Sequence, residues 1–217
     1  MKTSKLIITA LLGFFINAAS AENFSAGIKY ASDYFYRGAL KSSEAVQSSV
    51  GFSTSGGGID FSAGAFTNQA VDSGADTYIL SAGASKSFAD DLLSVYGGVN
   101  HVEDVAGVAV LEAQVSLGLN WHLSPTVNVY RDLDDALYTY ELVLGHDFDL
   151  KAFTLGLDGS VGHTDVTSSV DNTYYTVGAS ATRALSDSAD LELGVVHVDS
   201  DTLSNEYVFE VGVSLRF

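Results

Sequence analysis

Five histidines are the only side chains in this sequence that could serve as a neutral-pH general base in the usual way: His101, His122, His146, His163 and His197. They are scattered one by one, with no short spacing that would bring two imidazoles to one metal or one base to a nucleophile. There is no cysteine, which removes thiolate catalysis, disulfides and cysteine zinc sites. No catalytic residue is therefore assigned, and a non-enzymatic function is expected, with a hydrolase as the weaker alternative.

What the chain does carry in quantity is carboxylate. Aspartate and glutamate number 27 against 10 lysines and arginines, a formal charge of −17. Such a surplus argues against nucleic-acid binding, since a phosphate backbone needs basic partners. Asp132, Asp134 and Asp135 are close enough to offer hard oxygen ligands to Ca²⁺ or Mg²⁺, but they form no EF-hand loop or glycine-rich nonapeptide. The reading is a solvated acidic rim without a resident cofactor or metal, at most gathering those cations weakly. Yet 47% of the residues are hydrophobic, so the same chain is both acidic and apolar.

The elements that hold these groups explain the pairing. Residues 1–21 read as a cleaved signal peptide, with Lys2 and Lys5 ahead of an apolar run of about 11 residues and Ala19-Ser20-Ala21 at its end. That run is too short to span a bilayer as a helix, which takes about 20 residues. Losing those two lysines takes the exported part, 22–217, from −17 to −19.

In the exported part the periodicity is two. Leu111, Ala113, Val115, Leu117, Leu119 and Trp121 alternate with Glu112, Gln114, Ser116, Gly118 and Asn120. Segments 153–164 and 207–217 alternate in the same way. A strand with one apolar and one small-polar face suits a soluble sandwich or, turned inside out, a transmembrane barrel. Strands of about 11 residues, aromatics near strand ends (Phe24, Trp121, Tyr138, Phe153, Phe217) and a polar face of Gly, Ser and Thr favour the barrel.

Twelve strands are expected, at 23–34, 45–54, 59–67, 76–88, 93–101, 109–121, 126–132, 138–148, 152–164, 173–183, 190–198 and 206–217. The fold class is all-β, an antiparallel up-and-down transmembrane barrel, with ten strands as the alternative because 126–132 is short. An even number puts both termini on one side, the periplasmic side of a Gram-negative outer membrane. The links at the other end are expected to be the longer ones, the first running through YFYRGALKSSE.

Residues 30–41, YASDYFYRGALK, carry a Ser-Asp-Tyr-x-x-Arg-Gly motif at Ser32, Asp33, Tyr34, Arg37 and Gly38. This motif resembles the opening of the TorF family of bacterial outer-membrane proteins, which are assigned as porins. The following AVQSSVGFSTSGGGIDFSAGAF and the SKSF at 85–88 are also similar to that family, while 121–150 is less typical. The resemblance implies a porin-like barrel and supplies no substrate.

The residues add the rest. Twelve strands about 4.8 Å apart and tilted by about 40° close at a backbone radius of roughly 12 Å, wide enough for a water-filled lumen. Parity places Asp60, Glu112, Glu141, Asp158, Glu192 and Glu210 inside, against Lys29 and Arg216. An acidic lumen should favour cations and small neutral or cationic solutes in passive diffusion. The first exterior link holds Arg37, and it is expected either to bend inward as a constriction or merely to clamp the strand end through Asp33. The partners implied are membrane lipid and lipopolysaccharide, small solutes, and the barrel-assembly machinery through the strand ending at Phe217. A non-conducting structural or adhesive barrel is the main alternative.

Overall fold

The computed structural model describes residues 23–104, 109–167 and 169–217. The expected signal segment lies outside these residues, as does part of the link after residue 104. Alternating apolar and polar side chains produce twelve strands: β1 (Asn23–Tyr36), β2 (Ala39–Gly56), β3 (Ile59–Gly74), β4 (Thr77–Phe88), β5 (Leu93–Asp104), β6 (Ala109–Leu119), β7 (Thr126–Asp132), β8 (Tyr138–Asp149), β9 (Thr154–Thr167), β10 (Val170–Ser186), β11 (Ala189–Ser200) and β12 (Leu203–Arg216). Each pairs antiparallel with the next, and β1 pairs with β12 to close the barrel. The short β7 pairs with both neighbours, so the count is twelve.

The two faces are inverted relative to a water-soluble protein. Val115 and Leu117 on β6 and Phe209 on β12 are 52%, 49% and 61% exposed, whereas Glu112 on β6 is 4% exposed. A closed sheet leaves no unpaired backbone edge, and a largely apolar outer face covers it, the conditions for standing in hydrocarbon. Inside, glycine and serine keep the wall thin.

Closure is made at the chain ends. Phe24 and Phe217 exchange two backbone hydrogen bonds, N–H of Phe217 to O of Phe24 at 2.9 Å and the reverse at 3.3 Å, and their rings lie 5.7 Å apart. The start of β1 and the end of β12 therefore sit at one end of the barrel, here the terminal end. The other is the far end.

The far end corrects one expectation. The stretch expected as a long first link is strand almost throughout: β1 and β2 continue to a two-residue turn at Arg37-Gly38, with Tyr36 opposite Ala39. Register shifts at Tyr34/Phe35 and around Glu44, whose φ is 47°, interrupt the alternation there, so a period-two reading loses the strand before it ends. β3 likewise runs on to Gly74, past its expected end at 67.

Candidate functional site

The Arg37-Gly38 turn has φ of 52° and 73°, the left-handed pair of a tight hairpin turn. Its position follows from the motif before it. β1 stays paired with β12 up to Ala31 opposite Glu210, and there Ser32 takes over. Its Oγ accepts the Phe209 N–H at 3.0 Å and donates to Asp33 at 3.1 Å, ending the ladder with a side chain. Beyond that point the hairpin leaves the wall. Tyr34 rests on Phe66 of β3, rings 5.6 Å apart, and Phe35 packs against the buried cluster of Ala31, Val198 and Val208.

The tip then reaches the opposite wall. The Arg37 guanidinium grips Glu112 of β6 with both nitrogens, Nη1 to Oε1 and Nη2 to Oε2, the latter at 2.7 Å. Nη1 also donates to Thr139 of β8 at 3.4 Å, and the guanidinium carbon stands 4.2 Å from the Tyr130 ring centre on β7. The Tyr36 hydroxyl donates to Glu112 at 3.2 Å. On the other flank the Asn172 amide donates to the Arg37 carbonyl at 3.4 Å and Ser200 Oγ to the Gly38 carbonyl at 3.1 Å. Contacts with β6, β7, β8, β10 and β11 from one turn between β1 and β2 require the tip to lie in the lumen. Gly38 is needed there twice: for its φ, and because a Cβ would run into Tyr174.

Bidentate Arg–carboxylate pairing fixes both distance and orientation, and a partner aromatic face adds a cation–π contact. The arrangement can therefore hold a hairpin across an aqueous space without a covalent tie. Of the two expectations for Arg37, the inward one matches its contacts. Asp33 accepts a hydrogen bond from Ser32, and the Arg37 guanidinium pairs with Glu112.

The remaining inner-face residues divide by depth. Lys29 bridges Glu210 at 3.0 Å and Glu192 at 3.6 Å. Glu141 accepts from Asn128 at 3.1 Å and from the Tyr174 hydroxyl at 3.0 Å, neutral donors both. Asp158 stands opposite Gly178, over which its carboxylate lies. Asp60 and Arg216 belong to the terminal mouth: Asp60 accepts from Ser55 in the β2–β3 hairpin, and Arg216 pairs with Asp190 at 2.6 Å while 64% exposed. Asp190 shares the parity of Glu192 and was legible as a lumen acid. Tyr130, Thr139, Asn172, Tyr174 and Ser200 were not, because parity gives a residue's face but not which residue meets it across the barrel.

The acidic trio is used locally. Asp132 accepts the backbone N–H groups of Asp134 and Asp135 at 2.8 and 3.1 Å, closing the β7–β8 turn. Among the described residues no group of three or more His, Asp or Glu side chains is arranged to hold a metal. The histidines stay apart: His146 is edge-on to Phe148, His197 lies against Tyr207 and Asn205, His163 beside Thr173, His101 near Glu103, and His122 next to Trp121.

No protein-family model and no curated protein matches the chain. Its fold is similar to solved outer-membrane barrels. The KdgM porin superposes with a TM-score of 0.60 at 14% identity, over 89% of this chain and 99% of that one. The NanC porin gives 0.59 at 11%, over 88% and 100%. The COG4313 outer membrane channel from Pseudomonas putida F1 gives 0.59 at 9%, over 91% and 96%. At these identities the likeness is one of fold.

Proposed function

We propose that this chain is a porin-like channel of the Gram-negative outer membrane, passing small polar solutes and ions by diffusion and preferring cations. The observation that carries the reading is the hairpin tip held inside the lumen by Arg37 and Glu112. A constriction set inside a barrel is a device for selecting what passes, and a solid structural barrel has no need of one. The fold shared with the KdgM and NanC porins supports it, as does the Ser32-Asp33-Tyr34-x-x-Arg37-Gly38 motif that resembles the TorF family.

The preference for cations rests on the balance of the wall. Arg37, Lys29 and Arg216 are each engaged with a carboxylate. Glu141, Asp158, Asp60 and the second acid beside Lys29 remain beyond them, and a low-dielectric wall focuses that negative field. The KdgM porin has also been solved in complex with disordered oligogalacturonate, a polyanion. The inner wall here disfavours that sign of charge.

The terminal end is the periplasmic side in this reading, and the far end, with its aspartates, faces lipopolysaccharide, where Ca²⁺ or Mg²⁺ would gather. The strand ending in Phe217 would be read by the barrel-assembly machinery. Reconstitution of the purified chain in a planar bilayer under a salt gradient tests the whole proposal. Conducting steps with a reversal potential on the cation side are expected. A silent barrel would favour the structural or adhesive alternative, and release of lipid or peptide fragments the hydrolase.

A further inference from the structure

The lumen wall is chemically lopsided. Lys29, Asp158, Glu192 and Glu210 come from β1, β9, β11 and β12, while Glu112 of β6 is taken up by Arg37 and Glu141 of β8 by Asn128 and Tyr174. Across from them, the inner faces of β4–β7 carry amides and hydroxyls around a cavity of about 500 Å³, among them Ser81, Tyr96, Asn100, Gln114, Ser116 and Asn128. That volume falls within the range of roughly 300–1,000 Å³ typical of small-molecule sites.

Tyr96 gives this wall a shape. Gly83 on β4 and Gly98 on β5 both lie under the far end of its ring, so close that a Cβ on either would collide with Cζ and the hydroxyl. The far end of the ring occupies the space that two missing side chains leave, and Tyr96 lines the cavity. Above it runs a chain of amide bonds: Asn100 Nδ2 donates to Gln114 Oε1 at 3.1 Å, and Gln114 Nε2 donates to Ser116 Oγ at 3.0 Å. These bonds use one amide N–H of each residue and fix the side chains in place. An amide has two N–H donors and an oxygen with two lone pairs. Each therefore keeps donor and acceptor capacity to offer a solute.

We propose that this wall binds a small neutral polyhydroxylated solute, a sugar or polyol, whose ring stacks on Tyr96 while its hydroxyls bond to Asn100, Gln114, Ser116 and Asn128. A hydroxyl both donates and accepts, and amides and serines answer both roles without selecting a charge. A pyranose also presents C–H bonds on one face, and these suit the electron-rich face of an aromatic ring. None of these wall residues carries a formal charge itself, and the acid that touches them, Glu141 through Asn128, disfavours an anionic ligand. The site lies next to the cavity under Arg37 and Tyr36, with which it shares Ser81, Asn100 and Gln114, so a solute passing the tip would meet it. This inference rests on the channel reading above, and its test separates the two.

The test is ion current through the full chain in a bilayer, titrated with maltose on one side. A polyethylene glycol of matched hydrodynamic size serves as the control for simple crowding. Saturable block by maltose beyond that of the polymer is expected, unchanged between low and high salt because no charge is matched. Tyr96→Ala should weaken maltose block roughly five- to tenfold, the worth of about one aromatic contact. Tyr96→Phe, which keeps the platform, should retain it, and Gln114→Ala should weaken it with unitary conductance preserved. Maltose block no greater than that of the polymer, or equal block in Tyr96→Ala, overturns the site. A silent bilayer overturns the channel reading instead. The site is then judged by calorimetry of maltose against the detergent-solubilised chain, where saturable heat lost in Tyr96→Ala supports it and absence of heat overturns it.

Discussion

Arg37 and Glu112 stand 75 residues apart in the chain and meet inside the barrel as a two-point ion pair, from the tip of the first hairpin to the wall of β6. Their side chains are only 16% and 6% exposed. Stripping one partner from such a desolvated pair costs about 3–5 kcal/mol if the other stays buried. The lumen offers a cheaper outcome, since the hairpin can swing away and both groups can hydrate. Arg37→Ala and Glu112→Ala are therefore expected to raise unitary conductance, and the exchanged pair Arg37→Glu with Glu112→Arg to bring it back toward the original. Conductance equal to wild type in both single variants would show that the tip does not narrow the pore. Arg37→Glu alone should also move the reversal potential further to the cation side.

Gly38 carries the second anchor. With φ at 73° and Tyr174 against its Cα, any side chain is strained by about 1–2 kcal/mol in backbone alone and then collides with the tyrosine. Gly38→Val should unseat the tip. Trypsin cuts after arginine, and it reads this directly: the seated tip protects the bond after Arg37, and Gly38→Val should open it to cleavage. Combining Gly38→Ala with Tyr174→Ala removes the collision but not the backbone strain, and also removes the Tyr174 hydrogen bond to Glu141. Only partial protection is expected from that pair. Full protection of Gly38→Val would refute the seating.

The contrast between the wall and the hairpin explains what the sequence disclosed. A barrel wall obeys a local rule, one residue in and the next out, so the inward placement of Glu112, Glu141, Asp158, Glu192 and Glu210 could be read along each strand by itself. The hairpin breaks that rule at Tyr34 and again near Glu44, and strand residues 35–44 looked like a loop. The motif residues stood out by type and spacing, but their partners did not. Nothing local to Tyr174 indicates that it will cover Gly38, or that Ser200 and Asn172 will hold the turn's two carbonyls. Those contacts depend on the height at which each side chain emerges from the wall, which is set by strand stagger around the whole circle.

Lys29 is the lever on selectivity. It lies between Glu192 and Glu210, and by parity it is a base on the wall that otherwise holds Asp158 and Glu141. Removing it releases two carboxylates to the lumen field while leaving the hairpin contacts intact. Lys29→Gln is expected to increase the cation-to-anion permeability ratio, and Lys29→Glu to increase it further, with the effect shrinking as salt rises because exposed charges are screened beyond about 10 Å at 0.1 M. Measured reversal potentials at two ionic strengths check both parts. A shift toward anions, or none, would mean that Lys29 does not face the conducting path.

The seam offers a prediction about assembly. At the terminal end, β12 joins β1 through the reciprocal backbone bonds of Phe217 and Phe24, and the two rings cover that junction from the apolar side. Phe217→Ala keeps the backbone bonds and loses the ring pair, worth about 0.5–1.5 kcal/mol beyond its buried area. Deleting Phe217 removes those backbone bonds as well and shortens the strand that must find β1 before the sheet closes. Closure comes late, because it pairs residues from opposite ends of the chain, so the lost free energy should appear mainly in the yield and rate of folding into lipid vesicles. The deletion is expected to fold more slowly and less completely than Phe217→Ala, which in turn should fall below wild type, as read from the fraction migrating as compact barrel on unheated gels. Equal folding of all three would place the decisive closure contacts further along the β1–β12 ladder, between Ser25 opposite Arg216 and Ala31 opposite Glu210.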